Sequence, residues 1–193
     1  MVEFLKEESP GKYEELFIVL LPTGEVLSIA EDIQSELADI YDLYHKDQVP
    51  KLHVTIDKIK KDSLLKAQKV LKDLCQDTPP IRLKVDKLDC FHLKNKFLIL
   101  NVEATKSLKN FSTHLHQALA KKGITTIENY QEWMFHITII SNIFAENPIP
   151  MDELTEICLF MEGMSRPLAA AANKIEPRMT HLMKNLITRL ELE

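Results

Sequence analysis

Two short stretches decide the fold of this chain: Leu52-His53-Val54-Thr55-Ile56 and Phe135-His136-Ile137-Thr138-Ile139. Each is apolar and rich in β-branched residues, which is typical of a β-strand. Side chains in a strand alternate between faces, so the histidine and the threonine of each stretch point the same way. The aliphatic residues between them point the opposite way, into a core. If the two strands are neighbours, two imidazoles and two hydroxyls converge on one patch.

This set of side chains suits acid–base chemistry on a phosphate. Imidazole titrates near neutrality, so one histidine can accept a proton while the other donates one. Threonine hydroxyls can donate to the non-bridging oxygens of a phosphodiester, where charge rests in the transition state. The sequence therefore predicts His53, His136, Thr55 and Thr138 as catalytic residues. Which histidine is the base stays open on sequence alone.

Composition narrows the class of protein. The formal net charge of −5 argues against binding of long nucleic acid, which needs a broad basic surface, but is compatible with a small phosphorylated ligand. The chain has only four glycines and no glycine-rich phosphate loop. The apolar run at 16–21 is too short to cross a bilayer, and residues 1–12 lack the apolar core of a secretory signal. We therefore expect a cytoplasmic protein without a membrane partner.

The cysteines and the other histidines show no spacing typical of a metal site. Cys75, Cys90 and Cys158 are odd in number and far apart, so we expect buried free thiols in a reducing compartment. His114 and His116 are two apart on a predicted helix and hence on different faces, so we expect surface or partly packed side chains. The sequence predicts neither a metal nor a cofactor.

The elements predicted along the chain repeat once, in the order strand, helix, strand, helix, strand. Sliding the chain by 83 residues, the separation of His53 and His136, brings each element of the first half onto a like element of the second. The predicted bounds are strand 15–21, helix 26–44, a His-Thr strand to about 59, helix 63–75 capped by Asp62-Ser63 and strand 81–88, then a turn at 94–96, strand 97–102, helix 108–119 stopped at Gly123, a His-Thr strand at about 134–144, helix 151–161, strand 167–175 and a closing strand 186–192.

The duplicated order predicts an α+β fold with antiparallel sheets and flanking helices. We expect a single domain over 1–193 made of two lobes, approximately 14–93 and 97–193, which interleave at the sheets. A pseudo-twofold axis between the lobes would bring the two His-Thr strands to their join, facing a central cleft.

Two hydrophobic-flanked His-x-Thr motifs in strands, His53-Thr55 and His136-Thr138, together with the duplicated order, resemble the 2H phosphoesterase superfamily. This superfamily includes bacterial 2′-5′ RNA ligase-like proteins and cyclic phosphodiesterases. The resemblance covers about Glu14 to Leu192 and implies a bilobal α+β domain whose motifs line a central cleft. It also implies metal-independent action on 2′,3′-cyclic phosphates, 2′-5′ linkages or nucleotide cyclic phosphates. We expect a monomer whose partner is a small phosphorylated nucleotide or an RNA terminus.

The sequence departs from many members of that superfamily at one point. They carry a basic residue two positions after the motif threonine, on the same strand face, where this chain has Asp57 and Ile140. A carboxylate at Asp57 would oppose a bound phosphate. The basic residues that could compensate are Lys12, Lys58 and Arg166.

Two residues near the motifs are further candidates for substrate binding. Lys58 belongs to the basic run at the end of the first His-Thr strand. Tyr130 leads into the second motif and could stack on a nucleobase at the rim of the cleft.

The residues leave three classes of function open. The first is a phosphodiesterase that uses the paired histidines for acid–base catalysis. The second is a non-catalytic module that holds a nucleotide or phosphate in the same cleft, and Asp57 is the residue that favours it. The third, a pure interaction domain, leaves the paired His-Thr motifs unexplained.

Overall fold

The computed structural model describes residues 15–45, 49–76, 78–91, 97–162, 168–179 and 190–191. The predicted turn at 94–96, most of the predicted closing strand, Lys12 and Arg166 lie outside these residues. The described strands and α-helices are, in order, β1 (Glu15–Pro22), α1 (Glu25–Tyr41), β2 (Val54–Lys60), α2 (Leu64–Cys75), β3 (Ile81–Phe91), β4 (Phe97–Glu103), α3 (Lys106–Lys121), β5 (His136–Ser141), α4 (Met151–Glu162), β6 (Leu168–Met179) and β7 (Leu190–Glu191).

The described strands form one antiparallel sheet in the order β1-β2-β5-β4-β3-β6-β7. The strand β6 pairs with β3 through Leu168–Ala172 and with β1 through Ala172–Met179, so six strands form a closed circuit. The helices flank this sheet, which confirms the predicted α+β class.

The strand pairings are the same when the two halves of the chain are exchanged. Replacing β1, β2 and β3 by β4, β5 and β6 turns the β1–β2 pair into β4–β5 and the β3–β4 pair into β6–β1. The pairs β2–β5 and β3–β6 map onto themselves. The strand pairings are therefore symmetric between the two halves, while the duplicated, bilobal arrangement around a cleft stays a prediction.

Aliphatic side chains from both halves build one core. Leu16, Ile18 and Leu20 of β1 are fully buried, as are Val54 of β2 and Ile137 of β5. The helix α3 buries an apolar stripe spaced by three and four residues, which is the spacing of one helical face: Leu108, Phe111, Leu115 and Leu119. Because the two motif strands are central, their aliphatic residues anchor the motifs in this core.

Several boundaries differ from the predicted ones for local reasons. The helix α1 ends at Tyr41 because Asp42 adopts a left-handed conformation (φ 50°), three residues before the predicted end. The predicted cap of α2 is wrong in its chemistry: Ser63 donates to Asp62 and makes no capping bond to the helix. The glycine predicted to stop α3, Gly123, does so with φ +65°.

The cysteine prediction is partly wrong. Cys90 of β3 and Cys158 of α4 form a disulfide with a Cα–Cα distance of 5.8 Å, and only Cys75 is free. The two residues are 68 positions apart in the chain, so no local spacing signals the pair.

Candidate active site

The four motif residues lie side by side on one face of the sheet. Val54 pairs with Ile137 in the antiparallel β2–β5 contact, so His53 is opposite Thr138 and Thr55 is opposite His136. Val54 and Ile137 are fully buried, whereas the four motif residues are partly exposed. Side chains directly opposite each other in such a pair are about 5 Å apart at Cβ, which is close enough to act on one phosphate group.

Both histidine rings are oriented by the same backbone contact. The Nδ1 of His53 is 2.7 Å from the carbonyl oxygen of Lys51, and the Nδ1 of His136 is 3.3 Å from that of Met134. A carbonyl oxygen only accepts, so in both rings Nδ1 carries a hydrogen. The lone pair of each neutral ring is therefore on Nε2, and the two motifs present the same tautomer.

A β-bulge follows the threonine of the first motif. On β1, Val19 pairs with Thr55 and Ile18 pairs with Asp57, so Ile56 has no partner of its own. Consecutive residues of β1 face opposite sides, and Asp57 therefore faces away from Thr55.

A second bulge follows the threonine of the second motif at the equivalent position. On β4, Ile99 pairs with Thr138 and Leu98 pairs with Ile140, so Ile139 is skipped. The carbonyl oxygen of Ile139 accepts from Gln34 Nε2 at 2.8 Å. The bulge is thus repeated at the offset of 83 residues.

The bulge overturns the expectation that Asp57 faces the bound phosphate. Asp57 is fully buried on the opposite face. The next residue, Lys58, pairs with Phe17 and so returns to the face of Thr55. Its Nζ lies 5.0 Å from the Phe17 ring centre, 5.8 Å from that of Trp133 and 3.6 Å from a carboxylate oxygen of Glu15. The basic side chain on the motif face thus comes three positions after the threonine.

Asp57 is the centre of a polar cluster that the sequence did not predict. Its Oδ2 is 2.9 Å from His116 Nδ1, and its Oδ1 accepts from Thr125 Oγ1 at 2.8 Å and from the Lys58 amide at 2.7 Å. One sequence signal could have found His116: it lies next to Leu115 and three residues before Leu119, both buried. That position is at the edge of the packed face of α3.

Tyr130 is part of the same cluster. Its ring stacks on His116 with centroids 3.9 Å apart and an interplanar angle of 8°. Burial raises the pKa of its phenol to about 12, against a smaller opposing effect of Ser112. His116 thus covers one face of the Tyr130 ring, and stacking of Tyr130 on a nucleobase stays a prediction.

Burial shifts the pKa of two groups at the site in opposite senses. Desolvation lowers the pKa of His136, because a charged imidazolium is disfavoured away from water, and the Met134 carbonyl opposes this only in part. Desolvation raises the pKa of Asp57, against the hydrogen bonds from Thr125 and His116 that favour its charged form. The neutral ring of His136 is therefore favoured near neutral pH.

Within the described residues, no group of three or more histidine, cysteine or carboxylate side chains is arranged to hold a metal ion. Among the described helices, none is long and apolar enough to span a membrane.

The antiparallel α+β fold described above is shared with known proteins. The family model described as the 2'-5' RNA ligase superfamily matches residues 28–154, a span that contains both motifs. The chain belongs to this superfamily, which confirms the resemblance to the 2H phosphoesterases. No curated protein matches the chain significantly.

Solved structures with the same fold cover almost the whole chain. E. coli LigT in complex with 3'-AMP is 14% identical with a TM-score of 0.57, covering 94% of this chain and 97% of LigT. TT0787 of Thermus thermophilus is 15% identical with a TM-score of 0.57, covering 93% and 95%. The MHV ns2 PDE domain is 16% identical with a TM-score of 0.52, covering 92% and 99%. At such identities the likeness shows the fold.

Proposed function

We propose that the chain is a metal-independent phosphodiesterase that acts on 2′,3′-cyclic phosphates or 2′-5′ phosphodiester bonds of RNA ends or oligonucleotides. The observation that carries the proposal is the pairing of Val54 with Ile137, which makes the two His-x-Thr motifs neighbours. The matching Nδ1–carbonyl contacts of His53 and His136 support it. Membership in a superfamily of phosphoesterases supports the same chemistry.

The two histidines divide the proton transfers. We assign the base to His136, because its lowered pKa favours the neutral ring that can take a proton from water. The oxygen of that water bonds to phosphorus while the bond to one ribose oxygen breaks. His53, as the imidazolium, gives its proton to the departing oxygen. A cyclic phosphate is thereby converted to a phosphomonoester and a free hydroxyl.

The threonines and Lys58 stabilise the charge on the phosphate. Thr55 and Thr138 donate to the non-bridging oxygens, where negative charge rests in the transition state. The ammonium of Lys58, on the same strand face as Thr55, adds a positive charge. The nucleobase contact of Tyr130 remains a proposal, through the part of its ring that His116 does not cover.

The ligand class is a small phosphorylated nucleotide or an RNA terminus. E. coli LigT has been crystallised with 3'-AMP and, in a structure with a TM-score of 0.52 to this chain, with phosphate. The net charge of −5 supports a short ligand held locally. A monomeric state and a cytoplasmic location belong to the same proposal.

The alternative function, a non-catalytic module that binds a nucleotide or phosphate, has lost its main support. It was favoured by a carboxylate expected to oppose phosphate on the motif face, but Asp57 is buried on the other face. It remains one outcome of the test below.

A panel assay tests the proposal. Purified protein is incubated in EDTA with 2′,3′-cyclic nucleotides and with short 2′-5′-linked and 3′-5′-linked oligonucleotides, and products are separated by chromatography. We expect turnover of the cyclic or 2′-5′ substrates, unchanged by EDTA, and its loss in His53→Ala. Turnover that needs an added divalent metal would contradict the chemistry, and binding without turnover would favour the binding module.

A further inference from the structure

We propose that Asp57 is a positioning residue: held by His116 and Thr125 behind β2, it fixes the bulge that presents Lys58 to the substrate phosphate. The inference rests on the proposed function for the identity of the ligand and explains how this chain supplies a cation. Three observations carry it: the cost of burying Asp57, the backbone bond that Asp57 makes, and the surroundings of Lys58.

The first observation is that a bulge at this point does not require a carboxylate. The equivalent residue in the second half, Ile140, is aliphatic and fully buried. A carboxylate in the same place loses its hydration and is tolerated only where partners replace the water. Asp57 has such partners from α3, from the segment after α3 and from its own strand. The chain thus has a carboxylate, whose burial costs free energy, at a position where the equivalent residue of the second half is aliphatic.

The second observation is the bond between Asp57 and the backbone of Lys58. The Lys58 amide donates to Asp57 Oδ1 at 2.7 Å, so the carboxylate is bonded to the backbone just after the bulge. The same oxygen accepts from Thr125. The Lys58 carbonyl in turn accepts from the amide of Thr126 at 2.9 Å. The carbonyl of Lys58 is thus bonded directly to the segment that follows α3, and its amide is linked to that segment through the carboxylate of Asp57.

The third observation is the environment of the Lys58 side chain. Its Nζ lies within cation–π distance of the Phe17 and Trp133 rings. The indole nitrogen of Trp133 donates to the carbonyl of Thr55 at 3.1 Å. The ring beside the ammonium is therefore fixed to the motif strand, next to the catalytic threonine. If the bulge relaxed, Asp57 would turn toward the phosphate and Lys58 away from it, because a shift of one residue exchanges strand faces.

A thermodynamic cycle on phosphate binding tests the proposal. The dissociation constants of inorganic phosphate and 3'-AMP are measured by calorimetry for the wild type, Lys58→Ala, Asp57→Ala and the double variant. We expect each single variant to weaken binding about tenfold, the worth of one charge-assisted contact. The double variant should lose no more than the larger single loss, because both changes remove the same contact. Additive losses, or wild-type affinity in Asp57→Ala, would overturn the proposal.

Two further variants separate positioning from folding. Asp57→Asn keeps an oxygen for Thr125 and the Lys58 amide and gains an N–H for neutral His116, so it should bind phosphate as the wild type does. Tyr44→Phe is the matched control, because the Tyr44 hydroxyl accepts from the Ser141 amide at the second bulge, which presents no cation. It should lower the melting temperature without weakening phosphate binding. If Asp57→Ala does not fold, the milder Thr125→Val takes its place in the cycle.

The single tryptophan of the chain gives a readout without ligand. Because the Lys58 ammonium lies beside Trp133, its removal or displacement should change indole emission. We expect the same change in Lys58→Ala and Asp57→Ala and none in Asp57→Asn. In kinetics the loss should fall on KM, with kcat within about threefold of the wild type, since the phosphate contact exists before the transition state.

The outcomes distinguish this inference from the proposed function. A wild type that binds phosphate but hydrolyses nothing would refute the proposed enzymatic activity, and the thermodynamic cycle on phosphate binding could still be measured. A wild type that hydrolyses substrate with full additivity in the cycle would refute the positioning role alone. A wild type that binds neither phosphate nor 3'-AMP would refute both.

Discussion

The two motif strands have the same geometry up to the bulge and different chemistry beyond it. In each, a histidine bonds a carbonyl two residues upstream, a threonine follows, and the next residue is skipped in the pairing. After the bulge, β2 continues with Asp57 and Lys58, whereas β5 continues with Ile140 and Ser141.

The backbone amide two residues after each skipped residue also has a different partner in the two strands. The Lys58 amide donates to the carboxylate of Asp57, and the Ser141 amide donates to the hydroxyl of Tyr44 at 3.2 Å. In the proposed mechanism the acid and the base come one from each half, and the geometry that orients them is therefore the same in both strands. The positive charge proposed to bind the ligand comes from one half only, through Lys58 of β2.

The largest expected effect is the loss of kcat when either of the two motif histidines, the feature that both halves share, is removed. His53→Ala and His136→Ala should each lower kcat by about 10²–10⁴, the usual contribution of general acid–base catalysis. The double variant should lose far less than the product of the two losses, because an acid and a base that act together are not additive. Single-turnover rates on a 2′,3′-cyclic nucleotide measure this.

The matched control for the histidines is His114→Ala, a change on the exposed side of α3. It should leave the rate unchanged. Wild-type rates in either motif variant would refute the catalytic role of the histidines.

The next effect comes from giving the second bulge the chemistry of the first. Ile140→Asp buries a carboxylate in a place filled by an aliphatic side chain, and should destabilise the fold by about 3–5 kcal/mol. Ile140→Val, the control, should cost about 0.5–1.5 kcal/mol. Urea denaturation at several pH values measures both.

The sign of the pH dependence is part of the same prediction. Burial raises the pKa of the introduced carboxyl above its unfolded value, so its cost is greatest at neutral pH and shrinks as the pH falls and the group is protonated. Equal costs for the Asp and Val variants would show that β5 tolerates the carboxylate, and the contrast between the bulges would lose its physical basis.

The part of the site before the bulge could be predicted from the sequence, and the part after it could not. Strand alternation and the apolar neighbours place His53 with Thr55 and His136 with Thr138, and the element order predicts the duplication. The bulge at Ile56 has no glycine or proline to signal it, so extrapolated alternation put Asp57 on the wrong face. The hydrogen-bond partners of the Asp57 carboxylate, His116 and Thr125, are 59 and 68 residues away in the chain and can be found only from the tertiary structure.

A smaller effect tests whether the two threonines are equivalent. Thr55→Val and Thr138→Val each remove one hydroxyl and keep the β-branched shape, and each should lower kcat/KM on the order of tenfold, the worth of one hydrogen bond to a charged oxygen. The expected similarity follows from their cross-strand pairing with the opposite histidines. A loss more than tenfold larger at one threonine would show that the phosphate sits over one half of the pair.

The smallest effect is a shift in the pH profile, and it sharpens the difference between the histidines. Since desolvation lowers the pKa of His136, the free ring is present over more of the neutral range than in a solvent-exposed histidine. If His136 is the base, kcat/KM rises with pH through a midpoint below about 6.5, the ordinary histidine value. It then falls again at higher pH, when the acid loses its proton. Rates from pH 4.5 to 9, with the Hε1 resonances of both rings followed by NMR, link each limb to its histidine. A rising limb that follows His53 instead of His136 would reverse the two roles while leaving the paired mechanism intact.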